Sequence, residues 1–191
     1  MIIDKDIAIA KMFLSAITLD KIKFSGELAE TPRRIISAYR EMLSGYNQPL
    51  DSMSIPCFDS SNNQMIVVKD IDFVSMCEHH LLPFTGVAHV GYLPNGKVIG
   101  LSKIPRIVNA FSKRLQLQER LTEEIAKFIN DTIHPLGVGV VIEARHFCTC
   151  YRGVKSQNAK MVTSYITGSF RNDEKAKTEF FAIVQNRMQA H

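Results

Sequence analysis

The 191-residue sequence has no tryptophan, four cysteines, 10 glycines and 7 prolines. Glycine and proline at this level exclude a collagen-like or low-complexity chain, and 46% hydrophobic with 22% charged residues excludes a wholly disordered one. No apolar run approaches the roughly 18 residues that a bilayer span needs. The opening Met1-Ile2-Ile3-Asp4-Lys5-Asp6 lacks the basic-then-apolar order of a secretory signal. The expectation is a cytoplasmic protein whose mature chain starts at Met1, with no membrane partner. Cys57, Cys77, Cys148 and Cys150 are too few and too unevenly spaced for a disulfide framework. Two of them stand near histidines, which in a reducing compartment favours metal binding over cross-linking. Lys plus Arg (23) exceed Asp plus Glu (19) by four. That surplus is too small for a nucleic-acid surface but compatible with a local anion site.

What is present reads as an α+β domain with a helical appendage. Ile7, Ala10, Phe13 and Ile17 are spaced for a first helix over residues 4–18. Thr31-Pro32 predicts the start of a second, with Thr31 as N-cap and Ile35, Ile36, Tyr39 and Met42 on its inner stripe. Residues 46–63 are polar and turn-rich and read as a linker. Met65–Val68 and Ile71–Val74 are β-rich, and Pro94-Asn95-Gly96 predicts a hairpin between residues 86–93 and 97–101. Ser102 can cap a helix with Ile107, Val108 and Phe111 inward, and residues 115–133 form another with Leu121, Ile125, Phe128 and Ile129 on one face. Residues 138–150 and 161–170 read as strands, and 173–188 as a final helix.

Cys77-Glu78-His79-His80 is the densest group of metal-capable side chains. A single tight turn brings a thiolate and an imidazole three residues apart onto one side, where tetrahedral zinc can use both. Further ligands are expected from residues 145–152, because an extended strand there projects His146, Cys148, Cys150 and Arg152 from one face. Each of these residues taken singly is more often ordinary core or surface. The two clusters together favour a metal, with Cys77, His80 and Cys148 as three ligands and His79 and His146 beside them as acid–base groups. Three protein ligands leave a position open for water, as in catalytic zinc sites. The zinc nucleobase deaminase signature is not met, since Glu78 precedes both histidines and Pro56-Cys57 has no second cysteine three residues on. Ser102, Lys103 and Arg106 open a predicted helix, where unpaired N–H groups and the dipole favour an anion. Arg34 and Arg152 are further cationic candidates. Gln118-Glu119 offers a carboxylate that can accept two parallel hydrogen bonds, as guanine N1 and N2 present.

Ser75–His80, Gly100–Val108, Gln116–Leu121, His146-Phe147-Cys148 and Arg152-Gly153 closely resemble, in order and spacing, the motifs of the GTP cyclohydrolase I family. The resemblance covers about Thr31 to Phe181. It implies a T-fold: an antiparallel four-stranded sheet with helices on one face and a helical N-terminal segment, divided as residues 1–50 and a catalytic part over 51–191. It also implies a homodecamer with active sites between subunits. The implied reaction is zinc-dependent hydrolytic opening of the GTP imidazole ring at C8, release of formate and rearrangement to 7,8-dihydroneopterin triphosphate, the first step of folate and pterin biosynthesis. By motif position Cys77, His80 and Cys148 hold Zn2+, and His79 and His146 handle protons. Ser102, Lys103, Arg106 and Arg152, with Arg34, hold the triphosphate, and Glu119 with Gln118 anchors guanine. Ser37 stands where some relatives carry a phosphate-binding lysine, and Cys150 where others often have methionine. A non-catalytic, zinc-stabilised oligomer that binds a purine nucleotide is the alternative. It leaves His79 and His146 without a purpose.

Overall fold

The computed structural model describes residues 2–48 and 55–186. The chain divides into two compact units, Met1–Ser44 and Gly45–His191.

In the first unit α1 (Asp4–Ile17) packs on α2 (Thr31–Met42). The Asp6 carboxylate accepts the Ile3 N–H at 3.0 Å, occupying one otherwise unsatisfied donor at the positive end of the helix dipole. It also pairs with Arg40 of α2 at 2.9 Å. The backbone bond first, and then Arg40, hold Asp6 below the usual carboxylate range. Thr31 lies inside α2 instead of capping it, because the Arg34 N–H already reaches the Glu30 carbonyl at 3.0 Å and the helix starts one residue early.

The second unit is built on a sheet in which β2 (Ile66–Cys77), β3 (Pro83–Leu93), β6 (Gly137–His146) and β7 (Met161–Ile166) run antiparallel in that order. A two-residue strand, β5 (Leu115–Gln116), pairs in parallel with Met76 and Cys77 at the end of β2. The expected four-stranded antiparallel sheet is therefore the body of a five-stranded mixed one. β2 is continuous through a bulge where the register slips between Val68 and Ile71. Asp70 there has φ 55° and donates its N–H to His89 Nδ1 at 3.1 Å.

The hairpin expected across Pro94-Asn95-Gly96 does not form. The turn exists, with Gly96 at φ 77°, but β3 is already paired on both edges by β2 and β6. β4 (Lys97–Ile99) therefore finds its partner in β1 (Cys57–Asp59), inside the stretch expected to be linker. The Ile99 N–H donates to the Tyr92 hydroxyl at 3.0 Å and ties this small sheet to β3.

On one face of the large sheet lie α3 (Lys103–Ser112) and α4 (Gln118–Ile133). Ile104, Ile107, Val108, Leu121, Ile125 and Ile129 meet Phe73, Phe84, Ala88, Val90, Val140 and Ile142 in the main core. Burial of each large side chain stabilises the fold by about 1.5–3 kcal/mol. The helical stripes fall where the spacing predicts, although α4 starts only at Gln118 because Leu115 and Gln116 are drawn into the sheet. It ends with His134 at φ 46°, just before Pro135. Helices are not confined to this face. After α5 (Phe147–Cys150) and α6 (Ser169–Asn172), α7 (Glu174–Gln185) lies on the other side, where Phe180 packs over Gly91 and Gly139. Asp173 caps α7 by accepting the Lys175 N–H at 2.9 Å. The end expected at Met188 lies outside the described residues. Among those residues no helix is long and apolar enough to cross a membrane.

Candidate metal and proton-transfer site

β2 ends in a closed turn. The Cys77 N–H donates to Leu82 O and the Leu81 N–H to Cys77 O, each at 2.9 Å, with Leu81 at φ 53°. Reversing the chain within four residues carries His80 back toward the Cys77 thiol. The turn is held from outside by α4. Arg120 ion-pairs with Glu78, donates to Gln116 Oε1 at 3.0 Å and to Leu115 O at 3.1 Å, while the Glu78 N–H donates to Gln116 O at 3.2 Å. The pairing with Glu78 holds the Arg120 guanidinium still more firmly protonated.

Cys148 arrives by a route that differs from the one expected. The strand over 138–150 stops at His146, because β3 begins at Pro83, opposite Met76, and β7 begins at Met161, opposite Ala144. With no partner on either edge, the chain satisfies its own backbone in the single helical turn α5. His146, Cys148 and Cys150 therefore do not alternate on one strand face. Cys148 turns toward Cys77 and His80, and the ligand atoms of these three all lie within 4.8 Å of one another. Cys150 is buried, with Sγ 3.9 Å from Gln157 O, and is not part of the trio. Burial pushes the Cys148 thiol up, and the adjacent Cys77 adds to this. Two thiols forced together beside an imidazole form a soft donor set, and a divalent cation is what makes both thiolates favourable there. The residues therefore fit a zinc-type ion.

His146 ends β6 directly across from Phe84 of β3, and the two rings stack with centroids 4.5 Å apart and planes 3° from parallel. Its Nε2 lies 2.8 Å from Gln118 Oε1. Burial pushes His146 below the ordinary imidazole value, and the Glu119 carboxylate opposes that shift. Gln118 is 1% exposed, and its amide nitrogen lies 3.0 Å from Ile142 O, 3.0 Å from Met161 O and 3.1 Å from Thr163 Oγ1. His79 is exposed, its ring 6.1 Å from that of His80.

The remaining candidates are placed as follows. Ser102 occupies the N-cap position of α3 without a side-chain capping bond, with Lys103 and Arg106 in the first turn. Glu119 is exposed in the first turn of α4. Exposed Arg152 donates to Cys148 O at 3.3 Å. Arg34 lies on the exposed side of α2 in the N-terminal unit. No sequence signal marks Phe84 or Thr163, and Gln116 and Arg120 stand out only as members of the Gln116–Leu121 motif. Arg120 is 42 residues from Glu78, and no periodicity links them. Three hollows of about 500, 460 and 400 Å3 are lined in common by Val87, and none has Cys77, His80 or Cys148 in its wall.

A soft three-ligand cluster that could hold a metal ion, beside a stacked, hydrogen-bonded histidine on an α+β scaffold, defines the class. Comparison with known proteins gives the family. The family model for GTP cyclohydrolase I matches residues 8–185. A Campylobacter jejuni (strain RM1221) protein named GTP cyclohydrolase 1 is 50% identical over 163 residues, covering 85% of this chain and 86% of its own. A Methylococcus capsulatus protein of the same name is 51% identical over 158 residues, covering 82% and 85%. A Campylobacter concisus one is 48% identical over 165 residues, covering 86% and 87%. A solved archaeosine synthase QueF-Like in the apo form aligns with 57% of this chain and 97% of its own at TM-score 0.48 and 16% identity. The chain belongs to the GTP cyclohydrolase I family and is an enzyme of that kind.

Proposed function

We propose that this enzyme opens the imidazole ring of GTP at C8 by hydrolysis, releases formate and forms 7,8-dihydroneopterin triphosphate, with zinc held by Cys77, His80 and Cys148. The observation that carries this reading is the convergence of those three ligand atoms within 4.8 Å, at the ends of elements far apart in sequence. Bound there, zinc supplies the Lewis acidity that activates water at neutral pH. The chain's own residues do the rest. His146 takes up a proton during water attack and hands it to the ring nitrogen freed as the imidazole opens, and His79 moves protons in the later rearrangement. Ser102, Lys103 and Arg106 at the start of α3, with Arg152, hold the triphosphate by charge and at the positive end of the helix dipole. Glu119, beside Gln118, receives the guanine N1 and N2 hydrogens.

The reading includes a T-fold subunit, a division into residues 1–50 and 51–191, a cytoplasmic location and a homodecamer with active sites between subunits. The exposure of His79 and His80 favours an intersubunit site, since a lone chain leaves them facing solvent. Zinc-loaded protein incubated with GTP under reducing conditions, and followed by mass spectrometry, tests the reaction. Dihydroneopterin triphosphate with formate is the expected result. Unchanged GTP from folded, metal-replete protein overturns it. His146→Ala is expected to retain zinc and GTP while ring opening is lost.

A further inference from the structure

Gln118 has the composition of a substrate contact but the surroundings of a structural one. Its side chain is buried beneath α4. The carbonyl oxygens of Ile142 and Met161 accept only, so the amide NH2 must face them and Oε1 must face His146. The hydroxyls behind it agree with this orientation. Thr122 donates to Gln118 O at 2.7 Å, so in the 2.7 Å contact between Thr122 and Thr163 it is Thr163 that donates. Thr163 Oγ1 is thereby left as an acceptor for the Gln118 amide. With Oε1 as the only Gln118 atom toward the ring, His146 Nε2 must carry a hydrogen.

We infer that Gln118 is a positioning residue that fixes the rotation of the His146 ring and keeps a hydrogen on its Nε2. The inference rests on the acid–base reading of His146. The Phe84 ring sets the plane of the imidazole, and Gln118 sets its rotation within that plane and its hydrogen. The amide cannot at the same time serve guanine, because its two hydrogens are committed to Ile142 O, Met161 O and Thr163 Oγ1. Guanine recognition therefore falls to Glu119 and the adjacent backbone, and Gln118 acts through His146.

Solid-state 15N NMR of the intact protein with ring-labelled histidine, at a pH where the imidazole is neutral, reads this directly. The His146 signals are assigned by their absence in His146→Ala. The expected spectrum has a protonated Nε2 and an unprotonated Nδ1 in the wild type. A wild-type Nδ1–H tautomer overturns the proposal without reference to any variant. In Gln118→Met, which fills the same space without an acceptor, the His146 signals are expected to show a mixture of tautomers. Turnover of GTP should fall by at least about tenfold, with KM changed less than about twofold. A raised KM with unchanged kcat and an unchanged spectrum overturns the proposal in favour of a guanine contact. Full turnover by His146→Ala overturns instead the acid–base reading, and the substrate-free spectrum still reads the tautomer.

Discussion

The carboxylate of Glu78, in the turn after β2, is ion-paired with the guanidinium of Arg120, in the first turn of α4 and 42 residues further along the chain. The same guanidinium holds the side chain of Gln116 and the carbonyl of Leu115. One arginine thus fastens the His79-His80 turn to the strand and helix beside it. Both partners are partly exposed, so the pair adds little to global stability and its effect falls on the turn.

Arg120→Met is accordingly expected to reduce turnover by about tenfold or more, the usual scale for residues that orient a metal ligand. The loss in unfolding free energy should be about 1 kcal/mol or less, as for exposed ion pairs. Steady-state kinetics and urea titration on the same preparation separate the two effects. Unchanged kinetics would show that the turn holds itself.

Cys148→Ser leaves the fold in place, since residue 148 is only half-buried on a short helical turn, but removes one of two thiolates. Zinc content after dialysis is expected to fall from about one ion per chain to a small fraction of that. Elemental analysis checks this. Cys150→Ser, outside the trio, is expected to retain the metal, and equal loss in both variants would refute the ligand assignment.

Gly139→Ala places a methyl group 2.7 Å from the Phe180 ring, and a methyl group on Gly91 would meet the same ring at the same distance. Neither the sheet backbone nor a wholly buried ring can yield freely. Overpacking of this kind costs about 1–3 kcal/mol. Chemical denaturation measures it, and Phe180→Leu in the Gly139→Ala background should recover part of the loss. An additive double variant would mean that α7 is not seated on this glycine pair.

Burial pushes the Tyr92 phenol above its usual value, against a smaller opposing effect of the Ile99 N–H that it accepts. The folded-state pKa lies above the unfolded one. The stability that depends on the neutral phenol is therefore complete below about pH 10 and is lost as pH rises through the folded value. Tyr92→Phe should be less stable than the wild type at pH 7 by about 1–3 kcal/mol, because the Ile99 N–H loses its buried acceptor. The gap between the two proteins should narrow above pH 10. Unfolding curves of both across that range test it, and a constant gap would refute the assignment.

The trio of Cys77, His80 and Cys148 was legible because two of its members share one turn and the third lies in the only other stretch with histidine and cysteine together. The path to it was not. His146 and Cys148 share a strand face in an extended reading, yet the sheet leaves β6 without partners beyond His146, and the chain coils into α5. The hairpin at Pro94-Asn95-Gly96 failed for a similar reason. Its turn chemistry is local and real, but the strand before it has both edges occupied. Gln118 could be seen as a polar residue near Glu119, and nothing in the order of residues says that its amide faces two strand carbonyls and an imidazole.

Local chemistry and periodicity, which act over a few residues, were enough to specify the helical stripes of α3 and α4, the turn that brings His80 back to Cys77, the start of α3 at Ser102-Lys103 and the family motifs. Which strands pair, which face α7 covers, where β6 stops, how Arg120 reaches Glu78 and how Gln118 reaches His146 depend on contacts between residues tens of positions apart. Those contacts are set by competition for backbone hydrogen bonds and buried space, which exists only once the chain has packed.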